Sequence, residues 1–202
     1  RKVEPNRTNL ATLSEENILV LTQLTVTKGL AKHVIVSEES INKEFNNLFK
    51  EKKAIAPVKR EHIPKKYMKN RLRSSMFQKE KLDGNNKFEK LKSRLVADGS
   101  MQDKTIYIDL KSPTAKLDSI FIVLSSVSTK RVYWGKVDIG GAYLNAFLVD
   151  GEVIIMIISK QLTKILVKLN PELKEYVDEE TNTMMVQILK AWYGLVQSAA
   201  LW

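Results

Sequence analysis

Cysteine is absent from this 202-residue sequence, which excludes disulfides and thiolate metal sites and fits a reducing compartment. Histidine is almost absent, with two in the whole chain. His62 has no cysteine and no second histidine nearby with which to share a metal, so it reads as a surface residue. No apolar run approaches the ~20 residues of a membrane span, and there is no signal-peptide pattern. These absences argue against a secreted disulfide scaffold, a zinc module and a membrane protein, and no membrane partner is expected. What remains is ordinary for a globular chain, with 44% hydrophobic and 28% charged residues and a length suited to one or two domains.

Acidic residues are also scarce in one place. Residues 1–100 carry 22 Lys/Arg against 12 Asp/Glu, which accounts for the whole net charge of +10, while residues 101–202 carry 11 of each. The excess is densest over 50–94, with 16 basic and 5 acidic side chains. Such a local surplus points to an anionic partner, nucleic acid first, or else to a solvated face of a lysine-rich protein.

Taken in order, residues 1–13 read as a polar connector, and SEENILVLTQLTV from Ser14 as a short helix stopping by Lys28-Gly29. A clearer helix is expected from Ser37, with a cap and acids at its start and Ile41, Phe45, Leu48 and Phe49 at helical spacing. Pro57 and Pro64 punctuate a basic connector. A hairpin follows, with strands over 75–82 and 87–96 around the turn Asp83-Gly84-Asn85-Asn86. Alternation places Lys90, Lys92 and Arg94 on one face, a geometry suited to a triphosphate. A short strand is expected within 105–114, then a buried helix over 116–130 bracing the strand that ends at Asp138. Residues 152–158 and 184–189 read as two further strands.

Residues 132–153, VYWGKVDIGGAYLNAFLVDGEV, draw the most attention. An apolar run ends on one carboxylate, Asp138, and turns on Gly140-Gly141. That arrangement can hold a metal ligand rigidly at a cleft floor. It can equally be a strand–turn–helix junction in which Asp138 caps the next turn. Near the end, KAWYGLVQSAALW (190–202) reads as a strand–glycine–helix junction. Tyr176-Val177-Asp178-Glu179 looks like a paired-carboxylate turn, but its flanks NPELKE and ETNT are polar throughout, so a solvated turn is expected.

Three of these segments carry a family resemblance. DIGGAYLNA (138–146) resembles the first catalytic motif of copia-type retrotransposon reverse transcriptases. KLKSRLVADG (90–99) resembles their Lys-x-Arg-Leu-Val-Ala signature, with Asp98 where Lys or Gly is usual. KAWYGLVQS (190–198) is similar to their Lys-Ala-Leu-Tyr-Gly-Leu-x-Gln-Ser/Ala motif, with Trp192 and Val196 as departures. The three stand in family order.

The resemblance implies an α+β chain with part of the polymerase right-hand fold: a connector and leading helix (1–54), a basic fingers hairpin region (55–110) and the opening of a palm (111–202). It implies template-directed nucleotidyl transfer with two Mg2+ ions, Asp138 bridging both and the Ile139 carbonyl binding one. Lys81, Lys92 and Arg94 would grip the triphosphate, with Tyr143, Tyr193 and Gly194 beside the nucleotide. Lys79, Lys90, Gln197 and Ser198 would contact nucleic acid. Tyr143 would act as a steric gate against ribonucleotides, or else as a core aromatic. The implied partners are an RNA or DNA template-primer, deoxynucleoside triphosphates and other Pol polyprotein domains, in a cytoplasmic particle or the nucleus. The Tyr-x-Asp-Asp turn that supplies such an enzyme's remaining carboxylates is not in the sequence. The chain is therefore expected to be a piece of a longer frame, inactive alone. The alternative is a non-catalytic nucleic-acid-binding relic.

Overall fold

The computed structural model describes residues 23–202 except positions 108, 109, 113, 131, 132, 134 and 136. It is a mixed α/β structure of the α+β type and divides into two compact units. The first comprises the described residues up to Glu44 together with Met76–Arg94, and the second comprises Phe45–Ser75 and Leu95–Trp202. Strands β3 (Leu72–Leu82) and β4 (Phe88–Ala97) contribute residues to both.

In the first unit, β1 (Leu24–Thr25) pairs antiparallel with β3 at Gln78 and Phe77. Helix α1 (Val26–Lys32) follows, its N-terminus capped by the Thr25 hydroxyl, which accepts from the Lys28 amide. Helix α2 (Val34–Asn46) begins three residues earlier than the sequence suggests. Ser37 is therefore not a cap. It is buried, and its hydroxyl donates to Gln78 Oε1 at 2.8 Å. Gln78 in turn donates to Ser93 Oγ, and Ser93 and Ser40 hydrogen-bond each other. Buried polar groups need partners of this kind, and a fully satisfied set fixes one register of helix on sheet. Gly29 belongs to the same contact, since a Cβ there would lie 1.7 Å from Gln78 Oε1.

The β3–β4 turn forms where expected. Asp83 accepts through its side chain from the amides of Asn85 and Lys87, and Asn86 takes a left-handed φ of 59°. Asparagine tolerates that conformation better than most residues.

In the second unit, α2's last turn continues as a π-helical turn over Asn47–Glu51, and Phe45 and Leu48 are fully buried. The sheet is mixed. Strand β5 (Ile154–Ile158) lies parallel to β3 at Leu72 and Arg73 and antiparallel to β7 (Thr183–Ile188), which also pairs with β2 (Ile55–Val58). Proline cannot donate to a ladder, so Pro57 fits β2 because that strand has only one neighbour among the described strands. A core of Ile63, Ile155 and Met185 packs with Tyr67 and Met68 of α3 (Lys65–Lys69). Helix α5 (Lys160–Leu169) buries Leu162, Ile165 and Leu166. It has the apolar spacing of an amphipathic helix.

Three expectations fail in the described residues. Residues 105–107 form the end of a 3-10 turn (Lys104–Ile106) and its exit, not a strand. Helix α4 (Leu117–Lys130) exists, but none of its residues is buried, so it does not brace a core. Around Asp138 there is no strand at the described positions 133, 135 and 137–139, and Tyr133 and Val137 are exposed. A strand persists only with a ladder partner, and no described strand pairs with these residues. Of the first expected helix, residues 14–22 lie outside the described residues, as do 1–13. The described remainder is β1 and then α1, which continues through Gly29 to Lys32.

Candidate functional site

The glycine pair after Asp138 turns the chain as its composition demands. Gly141 takes φ 63°, in the left-handed region. A 3-10 turn, Ala142–Asn145, follows and is closed by the Leu144 amide donating to the Gly141 carbonyl at 2.8 Å. Leu144 is thereby buried, and Tyr143 is left half-buried beside it.

That turn meets the segment after β7. The Ala191 amide donates to the Ala146 carbonyl at 2.9 Å, and Phe147 forms a bridge with Lys190. The rings of Tyr143 and Tyr193 meet edge to face, with centroids 5.3 Å apart and planes at 63°. This is the preferred geometry for two quadrupolar rings.

The end of β4 reaches the same place. The Ala97 amide donates to the Tyr193 carbonyl at 3.0 Å, and the fully buried Trp192 indole donates to the Leu95 carbonyl at 3.2 Å. Gly194 takes φ 97°, and a Cβ on it would lie 1.9 Å from the Ala97 carbonyl oxygen. A Cβ on Gly99 would lie 2.1 Å from the Gly194 carbonyl oxygen. Two backbones touch here because both residues lack side chains. Three segments far apart in sequence, 95–99, 141–147 and 190–198, therefore form one junction within the second unit.

A polar cluster closes its far side. Glu152 Oε1 accepts from the Tyr107 hydroxyl at 2.6 Å and from Gln197 Nε2 at 3.0 Å. Gln102 donates to Tyr107 and to Gln197 Oε1, and accepts from the Val196 amide. Burial, and after it the Glu152 carboxylate, pushes the Tyr107 phenol well above its ordinary pKa. Gln197 and Ser198 are both buried. The Ser198 hydroxyl accepts from the Trp192 amide and donates to the Trp192 carbonyl. In this arrangement both side chains serve the junction. Sequence reasoning does not single out Tyr107, Gln102 or Glu152, because a lone tyrosine or glutamine in a polar loop carries no spacing signal.

Asp138 and Ile139 are exposed just ahead of the junction. Among the described residues no group of three or more acidic, histidine or cysteine side chains gathers to hold a metal ion. One carboxylate and one carbonyl do not supply the ligands that a pair of Mg2+ ions requires, so the described donor set does not fit the two-ion centre. Asp178 plays another part. Burial alone would raise its pKa, but the Arg60 guanidinium at 2.6 Å and the backbone amides of Glu180 and Thr181 outweigh that and hold it below the usual range. The expected solvated turn does not form over Tyr176–Glu179: Val177–Asp178 is a two-residue strand, β6, antiparallel to β7, and the Asp178 side chain is largely covered in its ion pair with Arg60. Asp98 is likewise engaged. Ser100 donates to it through both hydroxyl and amide, and with Arg73 at 3.2 Å holds its pKa low.

In the first unit, the burial of β3 and β4 alternates as the pleat requires. Lys79, Lys81, Lys90, Lys92 and Arg94 are all exposed. Lys90 lies 2.7 Å from Glu89. Lys79, Lys81 and Lys92 have no acidic partner among the described residues. Lys32 and His33 pair instead with Glu80, and the His33 ring stacks on Phe88 at 4.4 Å.

No helix among the described residues is long and apolar enough to cross a membrane. No family model, no curated protein and no solved structure matches the chain.

Proposed function

We propose that this chain carries the fingers hairpin and opening palm of a copia-type RNA-directed DNA polymerase, and that the chain alone binds nucleic acid without extending a primer. The observation that supports the reading is the junction itself. The three segments whose residues resemble that family's motifs, separated by about 40 to 50 residues in sequence, share backbone hydrogen bonds and an aromatic contact. A chance likeness of three short motifs gives no reason for them to meet.

On this reading the exposed cations of β3 and β4 neutralise phosphates of a template-primer or a triphosphate. These cations, Lys79, Lys81, Lys90, Lys92 and Arg94, belong to the first unit. In the second unit, taken by itself, Tyr143 and Tyr193 stand beside a deoxynucleotide sugar, and Gly194 lets backbone approach closely. The Mg2+ pair that the resemblance implies needs carboxylates in addition to Asp138, so no metal-dependent step is assigned to this chain. A second reading, a nucleic-acid-binding relic that keeps the basic hairpin and performs no chemistry, rests on the same exposed cations.

The test is a titration of the chain with labelled primer-template at several salt concentrations, alongside a primer-extension assay in Mg2+. Affinity should fall steeply with salt through counterion release. The triple substitution Lys79→Ala, Lys81→Ala, Lys92→Ala should weaken binding and flatten the log–log salt slope by roughly 2–3, about 0.9 per lost phosphate contact. Binding that ignores salt, or is unchanged in the triple variant, would sink the nucleic-acid reading. Mg2+-dependent extension by this chain would overturn the claim that its metal site is incomplete.

A further inference from the structure

The half-buried ring of Tyr143 stands on a short turn. Gly140 has open space on the side a Cβ would occupy, and Ile139 before the ring and Asn145 after it are exposed. What meets the ring is Tyr193, edge to face at 5.3 Å. Tyr193 is itself fixed at both ends. Its carbonyl accepts from the Ala97 amide. The next residue, Gly194, is pinned against Ala97 in a conformation that residues with a side chain rarely adopt. Before it, Trp192 is fully buried, with its indole on the Leu95 carbonyl and its backbone clasped by Ser198.

We propose that Tyr193 is the positioning residue for Tyr143, so that discrimination between deoxyribose and ribose at this site belongs to the tyrosine pair and not to Tyr143 alone. The inference rests on the nucleotide-site reading above and extends it to a residue fifty positions away. A gate works only if it cannot move aside. An aromatic on a short turn could swing away from an added hydroxyl at the cost of a rotamer change of order 1 kcal/mol. An edge-to-face partner anchored on packed backbone removes that escape, in the way that supporting contacts give a site its specificity.

The experiment compares equilibrium binding of dATP and ATP to the 202-residue chain, with primer-template and Mg2+ present, by competition against a fluorescent nucleotide. Wild type should prefer dATP by roughly 10–100-fold, the scale on which a shaped pocket rejects one added small group. Tyr193→Phe keeps the ring and should keep the ratio. Tyr193→Leu should bring the ratio towards one, as Tyr143→Ala does. A purely structural role for Tyr193 predicts instead that both nucleotides weaken together and the ratio survives. A preserved ratio in Tyr193→Leu, beside a collapsed one in Tyr143→Ala, would overturn the inference and leave the nucleotide site standing. Undetectable nucleotide binding by the wild type, or equal binding of both, would remove the nucleotide site and the inference with it. Should Tyr193→Leu not fold, Tyr193→Met gives the same comparison with a longer, more adaptable side chain.

Discussion

At the scale of single residues, the strongest constraint in the second unit falls on a glycine that the sequence motif already marked. Gly194 combines a positive φ with a carbonyl oxygen where a Cβ would stand. Either feature alone would disfavour a side chain. Strain at a left-handed non-glycine position costs of order 1–3 kcal/mol, and the clash cannot be relieved by a flexible neighbour because the neighbour is backbone. Gly194→Ala should therefore destabilise the chain by at least about 2 kcal/mol in urea unfolding, whereas Gly84→Ala, with open space around it, should cost little. Equal costs at the two positions would show that the β4–Gly194 contact does not form. Asp138 offers the opposite lesson. Its place after an apolar run suggests a buried strand end, but burial depends on a partner strand, and nothing in its own neighbours reports whether one is present.

Among the elements, local pattern and actual packing part company most clearly at α2 and α4. Both carry large apolar residues at helical spacing. Phe45 in α2 is 1% exposed, while Phe121 in α4 is 58% exposed. Phe45→Ala should cost roughly 3–5 kcal/mol, as truncation of a buried aromatic does, and Phe121→Ala should stay within about 0.5 kcal/mol, as for other surface changes. Chemical denaturation of the two variants would decide the matter, and a large loss in Phe121→Ala would mean that α4 has a packed face after all. Periodicity makes the hairpin, β5, β7 and the existence of α4 readable in advance, because each is a local pattern with a clear turn or length. Which face is covered is not readable, since that depends on residues distant in sequence. Two further elements have a local signal that is easily overlooked. Leu162, Ile165, Leu166 and Leu169 have the spacing of α5 but stand beside the more conspicuous Tyr176-Val177-Asp178-Glu179 motif. Pro57 disguises β2, a strand that tolerates proline because it lies at the edge of the sheet among the described strands. The meeting of Tyr143 with Tyr193, and of Gly194 with Ala97, follows from none of these patterns. Only the motif resemblance links those segments before the fold is known.

Taken as a whole, the molecule is a strongly cationic chain in which carboxylates such as Glu80 and Asp178 are held low by ion pairing, and this sets how it should respond to acid. Glu80 in the first unit would be raised by burial, but Lys32 and His33 outweigh that and lower it. In the second unit Arg60 and backbone amides do the same for Asp178. A carboxylate whose folded pKa lies below its unfolded value of about 4 stabilises the fold fully above that value, and the contribution disappears as pH falls through the folded pKa. Protonation also removes up to 23 negative charges from a chain that keeps 33 Lys and Arg, so repulsion grows as the pairs are lost. Stability measured by urea unfolding should thus be level near neutrality and fall progressively below about pH 5. Glu80→Gln and Asp178→Asn should each flatten part of that fall, because an amide at either position takes up no proton when the chain unfolds. Added salt should lessen the remaining loss by screening the repulsion. Identical pH profiles for Asp178→Asn and wild type would mean that the Arg60 pair contributes nothing in solution, and with it would go the account of Asp178 as an ion-paired residue of β6.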